Sequence, residues 1–109
     1  MIDNIITVNQ DQGEHFSVVG DTYRIVISGK QNQGAYAVID MLVPSGGGPG
    51  PHAHADIEEM FYVVAGEIDF KTETGGYAAK QGSFVNIPKG GRCIVSRITA
   101  TKWRTFYVP

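Results

Sequence analysis

Two histidines one residue apart, His52 and His54, followed by the acidic pair Glu58 and Glu59, are the residues of this chain best suited to chemistry. Imidazole nitrogens and a carboxylate oxygen converging on one point bind borderline divalent ions such as iron, manganese, nickel, copper or zinc. A set of two histidines and one carboxylate leaves coordination positions open, and open positions admit a substrate or dioxygen. A His-x-His pair after a glycine-rich loop can equally be a pair of solvated loop residues. What decides between these readings is the structure that positions the three side chains.

The acidic pair opens an apolar run, Glu59-Met-Phe-Tyr-Val-Val64, rich in aromatic and β-branched residues. Such a run reads as a strand, and strand side chains alternate, so Glu59, Phe61 and Val63 share one face and Met60, Tyr62 and Val64 the other. Adjacent strand residues point to opposite faces, so at most one of Glu58 and Glu59 reaches a common ion; Asp56 and Glu58 read as solvated rim charges. If Glu59 lies with Phe61 and Val63 inside the fold, its charge is expensive in apolar surroundings and a cation is its natural partner.

The rest of the chain repeats this pattern. Strands are expected at Val18–Val19, Tyr23–Ser28, Ala35–Val43, Glu67–Thr72, Ser83–Ile87, Cys93–Ile98 and Lys102–Val108, separated by glycine-rich turns that include Gly75-Gly76 and Pro88 to Gly91. Fourteen glycines leave little room for helices. The expected fold is all-β, a closed barrel or two-sheet jelly roll, in one domain spanning residues 1–109.

With these elements in place, Gly46-x5-His52-x-His54-x4-Glu59-x6-Gly66 resembles the first motif of the cupin superfamily, and Gly82-x5-Pro88-x-Gly90 the opening of its second. The resemblance implies a cupin-type double-stranded β-helix. It also implies a small-molecule site with a metal held by His52, His54 and Glu59, the spacing to Gly66 favouring Glu59 over Glu58. Where metal-binding cupins usually carry a third histidine this chain has Cys93, and where an asparagine often follows it has Arg97. Cys93 is either a fourth ligand, since a thiolate binds these metals well, or a small hydrophobe that packs. The implied activities are oxygen insertion, with dioxygenase-like chemistry leading, or isomerisation, decarboxylation or lyase chemistry. The alternative is a ligand-binding or sensory cupin without turnover, which the loss of the third histidine favours.

Composition narrows the partners. Nine basic and eleven acidic residues give a formal net charge of -2, which supplies no field for gathering nucleic acid or an anionic membrane. No stretch approaches the ~20 apolar residues that cross a bilayer. A lone cysteine and no charged-then-apolar leader point to the cytoplasm. From Lys80 onward the chain carries six basic residues and no acid, so its last strands are expected to pair with acidic partners; Lys89 and Arg92 could also meet an anionic substrate. His15 reads as a surface residue. Trp103, Phe106, Tyr107, Phe61, Phe70 and Phe84 read chiefly as barrel filling. The apolar N-terminal segment, residues 1–14 with Ile2, Ile5, Ile6 and Val8, together with the outward set Met60, Tyr62 and Val64, suggests a homodimer.

Overall fold

The computed structural model describes residues 5–18, 20–44, 52–53, 56–72, 74–97 and 101–109, the side chains at 18, 52, 53, 92–97 and 101 lying outside the description. Among the described residues ten strands run in chain order: β1 (Glu14–Val18), β2 (Asp21–Ile27), β3 (Ala37–Val43), β4 (His52–Ala53), β5 (Glu58–Ala65), β6 (Glu67–Thr72), β7 (Gly75–Lys80), β8 (Phe84–Ile87), β9 (Arg92–Arg97) and β10 (Thr101–Val108). The helical content among the described residues is one 3-10 turn, Gly29–Gln31.

The strands form two antiparallel sheets, ordered β1-β2-β3-β10-β5-β8 and β4-β9-β6-β7. The bend at Gly66 carries the chain from one to the other, so β5 and β6 lie in different sheets and do not pair as a hairpin. Gly66 holds φ +87°, a conformation that strains any residue with a Cβ, and this is why the chain bends on glycine.

The inward faces close on one another. Phe61 and Val63 of β5 and Trp103 of β10 pack with Ile68 and Phe70 of β6, Ala79 of β7, Val85 of β8 and Val43 of β3 in one core. The ring centroids of Phe61 and Phe70 stack 5.5 Å apart across the two sheets, and Trp103 meets Phe61 edge-on at 6.1 Å. Offset and edge-on contacts of this kind add about 1 kcal/mol each beyond area burial.

The outer face of the six-stranded sheet carries a charged row. Arg24, Asp40 and Arg104 are direct cross-strand neighbours on β2, β3 and β10. Arg104 grips Asp40 through Nε at 2.6 Å and Nη2 at 3.1 Å, and Arg24 Nη2 donates to Asp40 Oδ2 at 2.8 Å. Burial alone would raise the Asp40 carboxyl, but hydrogen bonds from Arg104 and Arg24 outweigh it and hold the group below the usual carboxylate range. The basic last strand thus finds an acidic partner on β3. Arg24 also donates to the carbonyls of Asn9, Gln10 and Gln12, tying part of the N-terminal segment to its own barrel.

Three sequence expectations change. Gly75-Gly76 are strand rather than turn: Thr72 Oγ1 donates to the Gly75 carbonyl and accepts from the Thr74 amide, which moves the turn upstream. Gly76 then runs so close to β6 that a Cβ there would stand 3.1 Å from the Phe70 carbonyl oxygen. Phe84 does not fill the barrel; it is exposed, because its neighbour Val85 takes the inward position opposite Phe61. β1 begins at Glu14 rather than near Val18, its polar residues paired with β2, and His15 lies exposed on it opposite Arg24.

Candidate functional site

Glu59 is 3% exposed, at the start of β5 and on the interior face. Alternation puts it there: Phe61 and Val63, two and four residues on, are core residues. Glu58 takes the opposite face and accepts a hydrogen bond from Asn86 Nδ2 at 3.2 Å, and Asp56 is exposed. Of the two candidate carboxylates, the one that the motif spacing favours is the one inside.

Glu59 is not alone. Its cross-strand neighbours are Ile87 on β8 and Tyr107 on β10. The Tyr107 hydroxyl donates a hydrogen bond to the Glu59 carboxylate; burial first, then the charge and hydrogen bond of Glu59, push the phenol far above its ordinary value. At neutral pH Tyr107 is therefore a neutral donor. Reading aromatic residues as filling missed this role. Its signal in the sequence is the two-residue spacing Trp103, Thr105, Tyr107, which puts the tyrosine on the same face as two buried residues.

The histidine side of the motif is described at the backbone. His52 on β4 is the direct cross-strand partner of Cys93 on β9. In the same sheet Arg97 and Val95 lie opposite Ile68 and Phe70, whose side chains are buried in the core. Cys93 has the parity of Val95 and Arg97, so His52 and Cys93 hold register positions on the interior face. They also lie at the same end of the barrel as Glu59. β5 and β6 both run away from the bend at Gly66, Glu59 stands at the far end of β5, and Cys93 follows on past the Lys71–Ile94 pair at the far end of β6. His54 lies outside the described residues, as does the Gly46 to Pro51 stretch of the first motif. Among the described residues no group of three or more His, Cys, Asp or Glu side chains is placed to hold a metal ion.

The second-motif turn is in place. The Gly91 amide donates to the Pro88 carbonyl at 2.9 Å, and a Cβ on Gly91 would meet Ile87 Cγ2 at 2.9 Å, so this turn delivers the chain to β9 only with glycine there. Lys89 is exposed on the same turn, and Arg92 pairs with Ala53. Deeper in the barrel the Trp103 indole Nε1 is buried without a hydrogen-bond partner. Thr105 Oγ1 is also buried, donating to the sulfur of Met41 at 3.9 Å.

The family model described as the Cupin domain matches residues 39–97, which span β3 to β9 and both motifs. The chain belongs to the cupin family. Solved cupin-fold structures superpose over nearly its whole length. KdgF from Halomonas sp. aligns with a TM-score of 0.81 at 16% identity, covering 94% of this chain and 93% of that one. Ectoine synthase from P. lautus gives 0.82 at 14%, covering 96% and 78%. The polyketide cyclase RemF from Streptomyces resistomycificus gives 0.77 at 19%, covering 95% and 78%. Comparison with curated proteins finds no match. Proteins as different as a synthase and a cyclase share the architecture at these identities, so the likeness establishes the cupin fold and leaves the activity to the site.

A buried carboxylate lies at the end of the barrel where a strand position held by histidine is paired in register with one held by cysteine, and histidine, cysteine and glutamate are residue types that ligate transition metals.

Proposed function

We propose that this cupin binds a divalent first-row transition metal through His52, His54 and Glu59, with Cys93 either a fourth ligand or a packing residue beside them, and acts on a small organic molecule. The observation that carries the reading is the interior burial of Glu59 at the end of the barrel where His52 and Cys93 face one another across β4 and β9. The Tyr107 hydroxyl donates to that carboxylate, whose two oxygens carry further lone pairs with which a cation could be held.

When bound, such an ion polarises a substrate oxygen or activates dioxygen; dioxygenase-like chemistry is the leading assignment. The chain's own part is to hold and shield the reactants. Phe61, Val63 and Phe70 exclude water from the inner wall. The buried indole N–H of Trp103 offers a donor that a carbonyl or carboxylate oxygen of a bound molecule would satisfy. The metal is iron, manganese, nickel, copper or zinc, because the donor set accepts all five.

A second reading, a ligand-binding or sensory cupin without turnover, is favoured by Cys93, which stands where a third histidine usually completes the family's site. We further assign the chain to the cytoplasm, as a single domain over residues 1–109 with a small molecule as its ligand and without nucleic acid or a membrane as partner. The outward Tyr62, exposed beside the half-buried Met60 and Val64, supports a homodimer, which sedimentation of Tyr62→Lys would test.

Elemental analysis of untagged protein tests the metal assignment. Stoichiometric metal that is lost in His52→Ala and retained in Cys93→Ala supports the three-ligand set. Metal absent from the unmodified protein defeats it. Oxygen uptake by the loaded protein in the presence of candidate small molecules then separates turnover from binding.

A further inference from the structure

The hydrogen bond between Tyr107 and Glu59 joins β10 to β5 at a directly paired position on the interior face of the sheet. The pair is directly opposed in the ladder, so their Cβ atoms stand within about 5.5 Å and the phenol reaches the carboxylate without backbone adjustment. Both strands belong to the rigid six-stranded sheet, and the neighbouring inward positions, Phe61 on β5 and Thr105 on β10, are fully packed.

We infer that Tyr107 is a positioning residue for the metal ligand: its hydroxyl holds one oxygen of Glu59 and turns the other toward the ion. This rests on the metal reading above. A carboxylate offers about four lone-pair sites on two oxygens, so one hydrogen bond leaves ample capacity for ligation. Glutamate has three rotatable side-chain torsions, and a carboxylate free to rotate loses part of its binding free energy to ordering when an ion arrives. A donor fixed on the adjacent strand orders it beforehand, as outer hydrogen bonds to metal ligands do generally. Tyr107 touches the ligand and not the ion, and the arrangement requires the hydroxyl rather than the ring.

The test is spectrophotometric titration of the metal-free protein with Co2+ alone, comparing wild type, Tyr107→Phe, Glu59→Gln and the double variant. Tyr107→Phe should weaken Co2+ binding about 10- to 100-fold, the usual cost of removing an outer hydrogen bond. In the Glu59→Gln background the same change should have no further effect. Wild-type binding that falls with Glu59→Gln but is unchanged by Tyr107→Phe would overturn the positioning role while leaving the metal reading intact. Absence of wild-type binding, or binding indifferent to Glu59→Gln, would overturn both.

A second measurement does not depend on a variant that folds. In Zn2+-loaded wild-type protein, the Tyr107 hydroxyl proton should exchange slowly with solvent and remain visible by NMR, because the bond to Glu59 persists when the ion binds. Loss of that proton signal on Zn2+ loading would overturn the inference.

Discussion

Asp40 and Glu59, two of the buried carboxylates of the six-stranded sheet, are treated in opposite ways. Asp40 faces outward and is clamped by two guanidiniums, one of them bidentate, whereas Glu59 faces inward and is held by the neutral hydroxyl of Tyr107. Asp40 has its charge neutralised by the chain itself, which makes it a structural element. Glu59 accepts from a neutral donor on the interior face, where the proposed metal would meet it. On that proposal the difference separates a residue that stabilises this barrel from one that equips it.

The contrast is sharpest under deletion of charge. Asp40→Asn leaves Arg24 and Arg104 facing each other without their anion, and should lower unfolding stability by about 3 kcal/mol in urea titrations at neutral pH. Glu59→Gln should do the reverse in metal-free protein: stability unchanged or raised by about 1 kcal/mol, because a buried charge is removed while the amide oxygen still accepts from Tyr107. The same Glu59→Gln protein should lose its metal. Equal destabilisation by the two substitutions would erase the distinction.

Acid provides a second way to separate them. The folded pKa of Asp40 lies below its unfolded value of 3.8, so its contribution is fully present above that value and is lost as pH falls through the folded one. Wild type should therefore lose stability below about pH 4 more steeply than Asp40→Asn, as read from urea midpoints at successive pH values.

Smaller changes test how the outer clamp is built. Arg104→Lys replaces a fork that meets both oxygens of Asp40 with a single point charge, and should cost about 1 kcal/mol. Phe84→Ser, on the same outer face but exposed, should change monomer stability by less than about 0.5 kcal/mol. A larger loss at Phe84 would mean that this side chain is covered in solution.

These contrasts also mark where the sequence was legible. The alternation of Glu59, Phe61 and Val63 is local, so the inward face of β5 and the choice of Glu59 over Glu58 followed from strand geometry. The turn at Pro88 to Gly91 was legible for the same reason, because its glycines answer steric demands within a few residues. Long-range pairing was not legible. That His52 faces Cys93, that Tyr107 faces Glu59 and that Asp40 stands between Arg24 and Arg104 depend on registers between distant strands, which no local pattern encodes. Phe84 misled for a related reason: a short strand with aromatic and β-branched residues in succession does not say which faces in, and Val85 opposite Phe61 decided it. The polar run from Glu14 paired with β2 because of its neighbour and not because of its own composition.

If the inward carboxylate and the first-motif histidines share one ion, X-ray absorption at the zinc edge of Zn2+-loaded wild-type protein should show a low-coordinate shell with imidazole nitrogens near about 2.0–2.1 Å and a carboxylate oxygen, with a sulfur near about 2.3 Å added only if Cys93 ligates. A shell of oxygens alone, without imidazole scattering, would contradict it.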